Sequence, residues 1–403
     1  MPHFDRSFVA PCLAAALLAF ASPAVLAVQV CELNGQPVNP NNGYTTEGKT
    51  GLMRCRDGEG GPVVREEELQ QGKFMGVVRR FRDSALEREY RVNERGNRDG
   101  LSREWAPATG GDKPVLVREE TYRNGSTVGL VRTWTAAGQP RRIAFHGDDG
   151  NERASVEFNA QGQLSELRCA PQPVFGTAFD DRAACGHAGA ATTSTLYSGK
   201  GQAASRVMVE RGVRRKLETL YESGAVHELQ ESNATGGVER TFAADGTKRR
   251  EVQWLALAGD RPRRVTTLDQ EFHESGKKLR ERHWQAGERG ELVSEETWYL
   301  NGQPKERVEY SSADGRSQRR ETSFHDSGRK SFEGVWFVDS RGGRGSERPT
   351  GTHRSFDADG RVRIERSYDE RGRINHEREL DERGNVVHDD EVFEDGSRKA
   401  VGR

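Results

Sequence analysis

Between Arg361 and Tyr368 the chain reads RVRIERSY, which places Val362, Ile364 and Tyr368 on one side of a two-residue alternation and Arg361, Arg363, Glu365 and Ser367 on the other. Period two marks an extended strand whose two faces differ in polarity. Similar runs recur along most of the chain, each closed by a glycine. Near the C-terminus the glycines are Gly360, Gly372, Gly384 and Gly396, always twelve residues apart, with Phe356, Tyr368 and Leu380 four residues before the first three. The same unit stands upstream at Trp134, Phe158, Phe242, Phe272, Trp298 and Phe324, and looser copies stand at Tyr122, Phe145, Tyr310 and Phe393.

A helix cannot carry this rhythm, since a glycine every twelve residues, at about 1 kcal/mol each relative to alanine, would break it repeatedly. A hairpin needs it, because the last loop residue adopts a left-handed backbone that glycine enters without steric cost. Asp or Asn just before that glycine bonds the local backbone. The beat is therefore one strand plus one turn, and about 300 repeat residues give roughly 25 strands. The aromatic at each strand end is placed to stack on its counterpart one or two strands away and so fix register. Only 33% of residues are apolar and 31% are charged, too few apolar side chains for a sheet buried on both faces. The expected fold is all-β: an elongated antiparallel meander of repeated β-hairpins, a single twisted or curved repeat sheet, with Arg, Lys and Glu stems covering part of its wetter face.

Residues 1–27 read differently. Arg6 precedes the apolar run FVAPCLAAALLAFASPAVLA, which ends in small residues and is interrupted by Pro11 and Pro23, the pattern of a secretory signal peptide cleaved after Ala27 rather than of a membrane anchor. Its removal takes one charge of each sign and leaves the net charge at −1. That balance argues against a nucleic-acid partner, which calls for a basic excess. Removing Cys12 leaves Cys31, Cys55, Cys169 and Cys185. Four cysteines allow three pairings, and sequence proximity favours Cys31 with Cys55 and Cys169 with Cys185. The competing zinc site of Cys169, Cys185 and His187 lacks a fourth ligand and a CxxC pair.

The unit of aromatic, polar pair and glycine followed by a charged strand resembles the MORN-variant repeats of the YwqK-type antitoxin group. EETYRNGSTVGLVRTWTAAGQPRR, from Glu119 to Arg142, carries the resemblance with Tyr122, Asn124, Gly125, Gly129 and Trp134, and it extends over most of residues 64–403. YDERGRI at Tyr368 is also similar to the YD repeats of Rhs-type toxin shells, whose units are longer. The resemblance implies stacked β-hairpins with a binding or scaffolding role. It supplies no individual functional residue, because the matching positions are turn glycines and strand-end aromatics.

The expected organisation is a signal peptide (1–27), an N-terminal cysteine-containing cap over the first strand edge (28–61), a first repeat block (62–166), a cysteine-containing insertion (167–204) and a second repeat block (205–403). The insertion reads first as a disulfide-pinned segment and, outside the ribbon itself, as the place for specificity, since long loops in a regular frame are functional or disordered. Its GKGQAA (199–204) superficially matches a dinucleotide-binding GxGxxA, but no helix pattern follows it. His273 and His325 read as turn residues, and His388 beside Asp389 and Asp390 has no metal-ligand spacing. With no GxSxG elbow and no free-thiol context, no catalytic residue, metal or cofactor is expected. Trp105, Trp134, Trp254, Trp284, Trp298 and Trp336 offer either a glycan-stacking face or ladder positions. The reading that follows is an exported, non-enzymatic scaffold, periplasmic or secreted, that binds a protein partner in the cell envelope; a polysaccharide or peptidoglycan binder is the alternative.

Overall fold

The computed structural model describes residues 29–107, 113–258, 263–287, 290–313, 316–339 and 346–401. The expected leader and its cleavage site lie outside them, as does the tip of the turn after Tyr310. Among the described residues the chain forms strands almost throughout, in two antiparallel meander sheets, neither closed. Twelve strands lie between Gln29 and Arg168, and 17 between Thr192 and Ala400. The meander of hairpins is the architecture read from the sequence, carried by two sheets rather than one, with the interruption at the cysteine-bearing insertion. Contacts divide the chain into two compact units, Met1–Leu116 with Tyr122–Ser126, and Val117–Thr121 with Thr127–Arg403.

The twelve-residue beat has a defined turn behind it. In FDADGR the amide of Gly360 donates to the carbonyl of Asp357 (2.9 Å), and the amide of Asp357 donates to the carbonyl of Arg361 (2.9 Å). The same pair of bonds closes the turns ending at Gly372 and Gly384. Here φ is +84°, +80° and +82°, the left-handed residue that follows a type I turn in a bulged hairpin. The bulge shows in the pairing, where register slips between Ser355 and Phe356 and again between Ser367 and Tyr368. The looser copy at Tyr122 uses another device: Asn124 (φ 48°) and Gly125 (φ 90°) form a two-residue turn with both φ positive, as do Arg211 and Gly212 elsewhere.

Acceptors within the turns occupy two positions. Asp245 and Asn301, just before their glycines, accept from the amides of Thr247 and Gln303, as read from the sequence. Asp357, Asp369 and Asp381 stand three residues before theirs and each accept two amide donors, a second solution that sequence reading missed. Hydrogen bonding to the ionised form holds these carboxyls below their ordinary value. His273 occupies the same position and accepts from the amide of Ser275, so it is a turn residue.

The strand-end aromatics sit where expected, but their stacking differs. Phe272 pairs in register with Lys278, and Trp298 with Pro304. The Lys248 ammonium lies 4.3 Å from the centroid of the Phe272 ring, and the Lys278 ammonium 4.9 Å from that of Trp298. Along this edge of the second sheet the ladder alternates ring and cation instead of ring and ring, because the residue two beyond the turn glycine is a lysine at both steps.

Charges are organised the same way. In the first unit Arg54, Glu66, Arg79, Glu89 and Arg103 face one another across five successive strands, with ion pairs of 2.9, 3.3 and 2.7 Å over the first four. In the second unit Glu333, Arg354, Glu365, Arg378 and Asp389 make a comparable row. The alternating signs of the sequence thus become cross-strand pairing.

Candidate functional site

Cys31 and Cys55 are registered partners on adjacent strands and form a disulfide. They sit in a small core with Leu33, Val38, Met53 and Leu69. The residues expected to cap the first edge contribute strands Gln29–Leu33, Gln36–Val38 and Gly51–Asp57 to the sheet, and the three-residue strand is its edge. A short edge strand limits association.

Cys169 and Cys185 form the second disulfide. Both thiolates of the weighed zinc site are therefore occupied, and among the described residues no cluster of three or more metal-ligating side chains is found. The disulfide ties down a segment with two apolar contacts. Phe175 is 1% exposed and packs with Ala170 against Ile143, Ala154 and Val156. On the other side Cys185 packs with Val207 and Val209. Between them is a single helical turn, Asp181–Ala184, capped by Asp180. The Asp181 carboxylate is buried and accepts from the amides of Val174 (2.6 Å) and Phe175 (3.1 Å), which fixes the approach of the phenyl ring. The insertion backbone also bonds the second sheet, with the Gly212 amide donating to the Cys185 carbonyl at 2.8 Å. Repeat structure resumes early: Thr192–Tyr197 is already a strand, and SGKG (198–201) is an ordinary bulged turn, which leaves GKGQAA without a nucleotide-binding context.

Beside this insertion lies a cleft of about 340 Å³. Leu167, Cys169, Val207, Val209 and Trp254 form its apolar surface, and Arg168, Arg214, Arg215, Lys216, Arg264, Glu231 and Glu239 its charged one. Trp254 is 9% exposed, between the Arg264 guanidinium at 4.1 Å from a ring centroid and the backbone of Gly237. A Cβ on Gly237 would lie 2.5 Å from Trp254 Cζ2, so glycine is what admits the indole there. The Trp254 Nε1 is buried without a hydrogen-bond acceptor. Sequence reasoning placed specificity in this insertion but did not single out Trp254 or the arginines, whose convergence depends on register between distant strands.

A second cluster was not foreseen. Phe332, Trp336, His353 and Tyr368 pack ring against ring with centroids 4.5 to 5.9 Å apart. His353 is buried, and its Nε2 lies 3.1 Å from Val335 N and 2.8 Å from Val335 O at a bulge in the pairing. It fills the irregularity and stabilises the core locally. His388 is exposed, while the adjacent Asp389 accepts from His376 at 2.7 Å. None of the six tryptophans is exposed; Tyr44, on the cap, is 88% exposed.

No family model matches the chain, and no curated protein matches it. Among solved structures, a chain of the one titled "Crystal Structure of TcdB2-TccC3-Cdc42" is similar over 87% of this chain and 20% of that chain, at 10% identity and a TM-score of 0.18. This chain thus spans about a fifth of that chain's length, and a likeness of this degree carries no argument. The two disulfides point to an oxidising, extracellular compartment. No helix among the described residues is long and apolar enough to cross a membrane.

Proposed function

We propose that the protein is an exported, non-enzymatic repeat scaffold that binds a protein partner in the cell envelope, in the periplasm or secreted. The observation that carries this reading is the cleft beside the Cys169–Cys185 insertion, where an apolar floor and an excess of cations meet on a sheet many of whose other charges pair across strands. Elsewhere rings are covered by lysine and arginine, and many charges pair across strands, which fits a supporting frame. The leader-like first 27 residues and the two disulfides support export. The resemblance to MORN-variant repeats agrees with a binding role and with the hairpin array.

A glycan platform would need rings open to solvent for stacking, and the six tryptophans are half-buried or buried. That weighs against the polysaccharide reading. Crosslinking of the full exported chain to envelope extract, followed by identification of captured proteins, tests the proposal. Reproducible capture of one protein, lost on prior unfolding of the bait, is expected; sedimentation with purified peptidoglycan and no captured protein would reverse the order of the two readings.

A further inference from the structure

We propose that the cleft beside the Cys169–Cys185 disulfide binds an extended acidic segment of a partner protein, with a carboxylate of that segment pairing with Arg214 and Arg168. The inference deepens the protein-binding reading and rests on it. Five cations line the cleft against two carboxylates, in a chain whose net charge is −1. Three of the five already have close partners: Arg215 with Glu210 (3.0 Å), Lys216 with Glu218 (2.9 Å) and Arg264 with Glu239 (3.3 Å). Arg168 is held only loosely, 3.8 Å from Glu152, and its side chain is mostly exposed. Arg214 is exposed, and its side chain has neither an ion-pair nor a hydrogen-bond partner among the described residues.

An unpaired guanidinium in a cleft that a second, weakly held arginine also lines suits a carboxylate, since arginine donates in a fork that matches it. The apolar floor argues for more than a free anion. Val207 and Val209 are buried under the cleft, and Trp254 lines it. An apolar side chain neighbouring the carboxylate would rest on that floor, so the preferred segment alternates acidic and apolar residues. The volume is at the small end of ligand clefts, which limits the contact to a short stretch.

The test is fluorescence anisotropy of the full chain with a labelled peptide alternating Glu and Leu and with its Lys–Leu counterpart. Binding of the acidic peptide alone is expected. Arg214→Glu should weaken it by about tenfold, Arg214→Lys should retain most of it, and Arg383→Glu, in an exposed turn of a later repeat, should leave it unchanged. Equal binding of both peptides, or acidic-peptide binding indifferent to Arg214→Glu, overturns the proposal. So does binding restricted to soluble peptidoglycan fragments, which also carry carboxylates. The two levels separate cleanly: an envelope partner captured equally well by Arg214→Glu keeps the scaffold reading and removes the cleft. Acidic-peptide binding through Arg214 with no captured envelope protein keeps the cleft and removes the envelope partner.

Discussion

The insertion around Cys169–Cys185 and the plain repeats from Val362 to Val392 belong to one unit but are held by different forces. The insertion contributes Phe175, Ala170 and Cys185 to cores that include Ala154, Val156, Val207 and Val209, all buried. Strands Val362–Tyr368, Ile374–Leu380 and Val386–Val392 contain no buried residue at all. Their register is set by bulged turns, by Tyr368 against Ile374 and Leu380 against Val386, and by ion pairs. A repeat array can therefore be extended with little hydrophobic core, provided each turn is specified locally, whereas an irregular segment must bury apolar area to hold one position.

The largest effect expected from this contrast is at Phe175. Phe175→Ala should cost about 3–5 kcal/mol through lost burial and the cavity left behind. Because repeats rest on their neighbours, the loss should be local. Hydrogen exchange should accelerate in Leu164–Arg168 and Thr192–Tyr197 while Val362–Tyr368 keeps its protection; a uniform loss would show that the two regions are one cooperative block.

Replacing both Cys169 and Cys185 by Ser comes next. The bridge spans a sequence separation of 16, a loop whose closure is worth about 3 kcal/mol. Denaturant unfolding of the double variant should lose roughly that amount, with the exchange change again confined to the strands flanking the insertion. In the plain repeats the comparable single change is at a turn. Gly372→Ala forces a side chain into φ +80°, and its Cβ would lie 3.3 Å from Arg348 Cβ and Pro349 Cδ. The cost should be about 1–2 kcal/mol. A smaller loss from Gly372→Asn would confirm that backbone handedness is what the position demands.

These regions were also unequally legible in the sequence. Gly360, Gly372 and Gly384 announce their turns because a positive φ restricts residue choice locally, and Phe356, Tyr368 and Leu380 mark strand ends four residues earlier. Proximity favoured the two disulfides that the structure contains. The cleft was not legible beyond its address in the chain. Arg168, Arg214 and Trp254 meet because an irregular segment joins two sheets, and no local spacing encodes that meeting. Nor was the alternation of ring and cation seen, since Lys248 and Phe272 are 24 residues apart and meet only through register.

Single ion pairs should matter less than any of these features. Arg354 links Glu333 (3.1 Å) and Glu365 (2.7 Å), but its side chain is 42% exposed. Arg354→Ala should cost about 0.2–1 kcal/mol, less at high salt. A loss as large as that of Phe175→Ala would mean that the charge row, and not the turns, holds the plain repeats together.

Mild acidification should have the smallest effect, and its sign follows from the carboxyls. Burial works to raise Glu251, yet hydrogen bonds from Gln253, Lys248 and Arg240 hold it at about 2; Glu281, likewise opposed by burial, is held at about 2 by Lys278, His283 and Gln270. A carboxyl lowered in the folded chain contributes stability that is complete above its ordinary value of 4.5 and lost as pH falls from there through about 2. Asp357, Asp369 and Asp381 act in the same direction. Glu306 acts in the opposite one: burial first, then the charges of Glu321 and Glu295, raise it, so its ionisation at neutral pH opposes folding and protonation relieves that cost. The melting temperature should therefore stay nearly flat from neutral pH down to about 5 and fall only below the ordinary carboxylate range. Glu306→Gln should raise it slightly at neutral pH, with the gain shrinking on acidification. A melting temperature that already declines between pH 7 and about 6 would show that these carboxyls do not control the response.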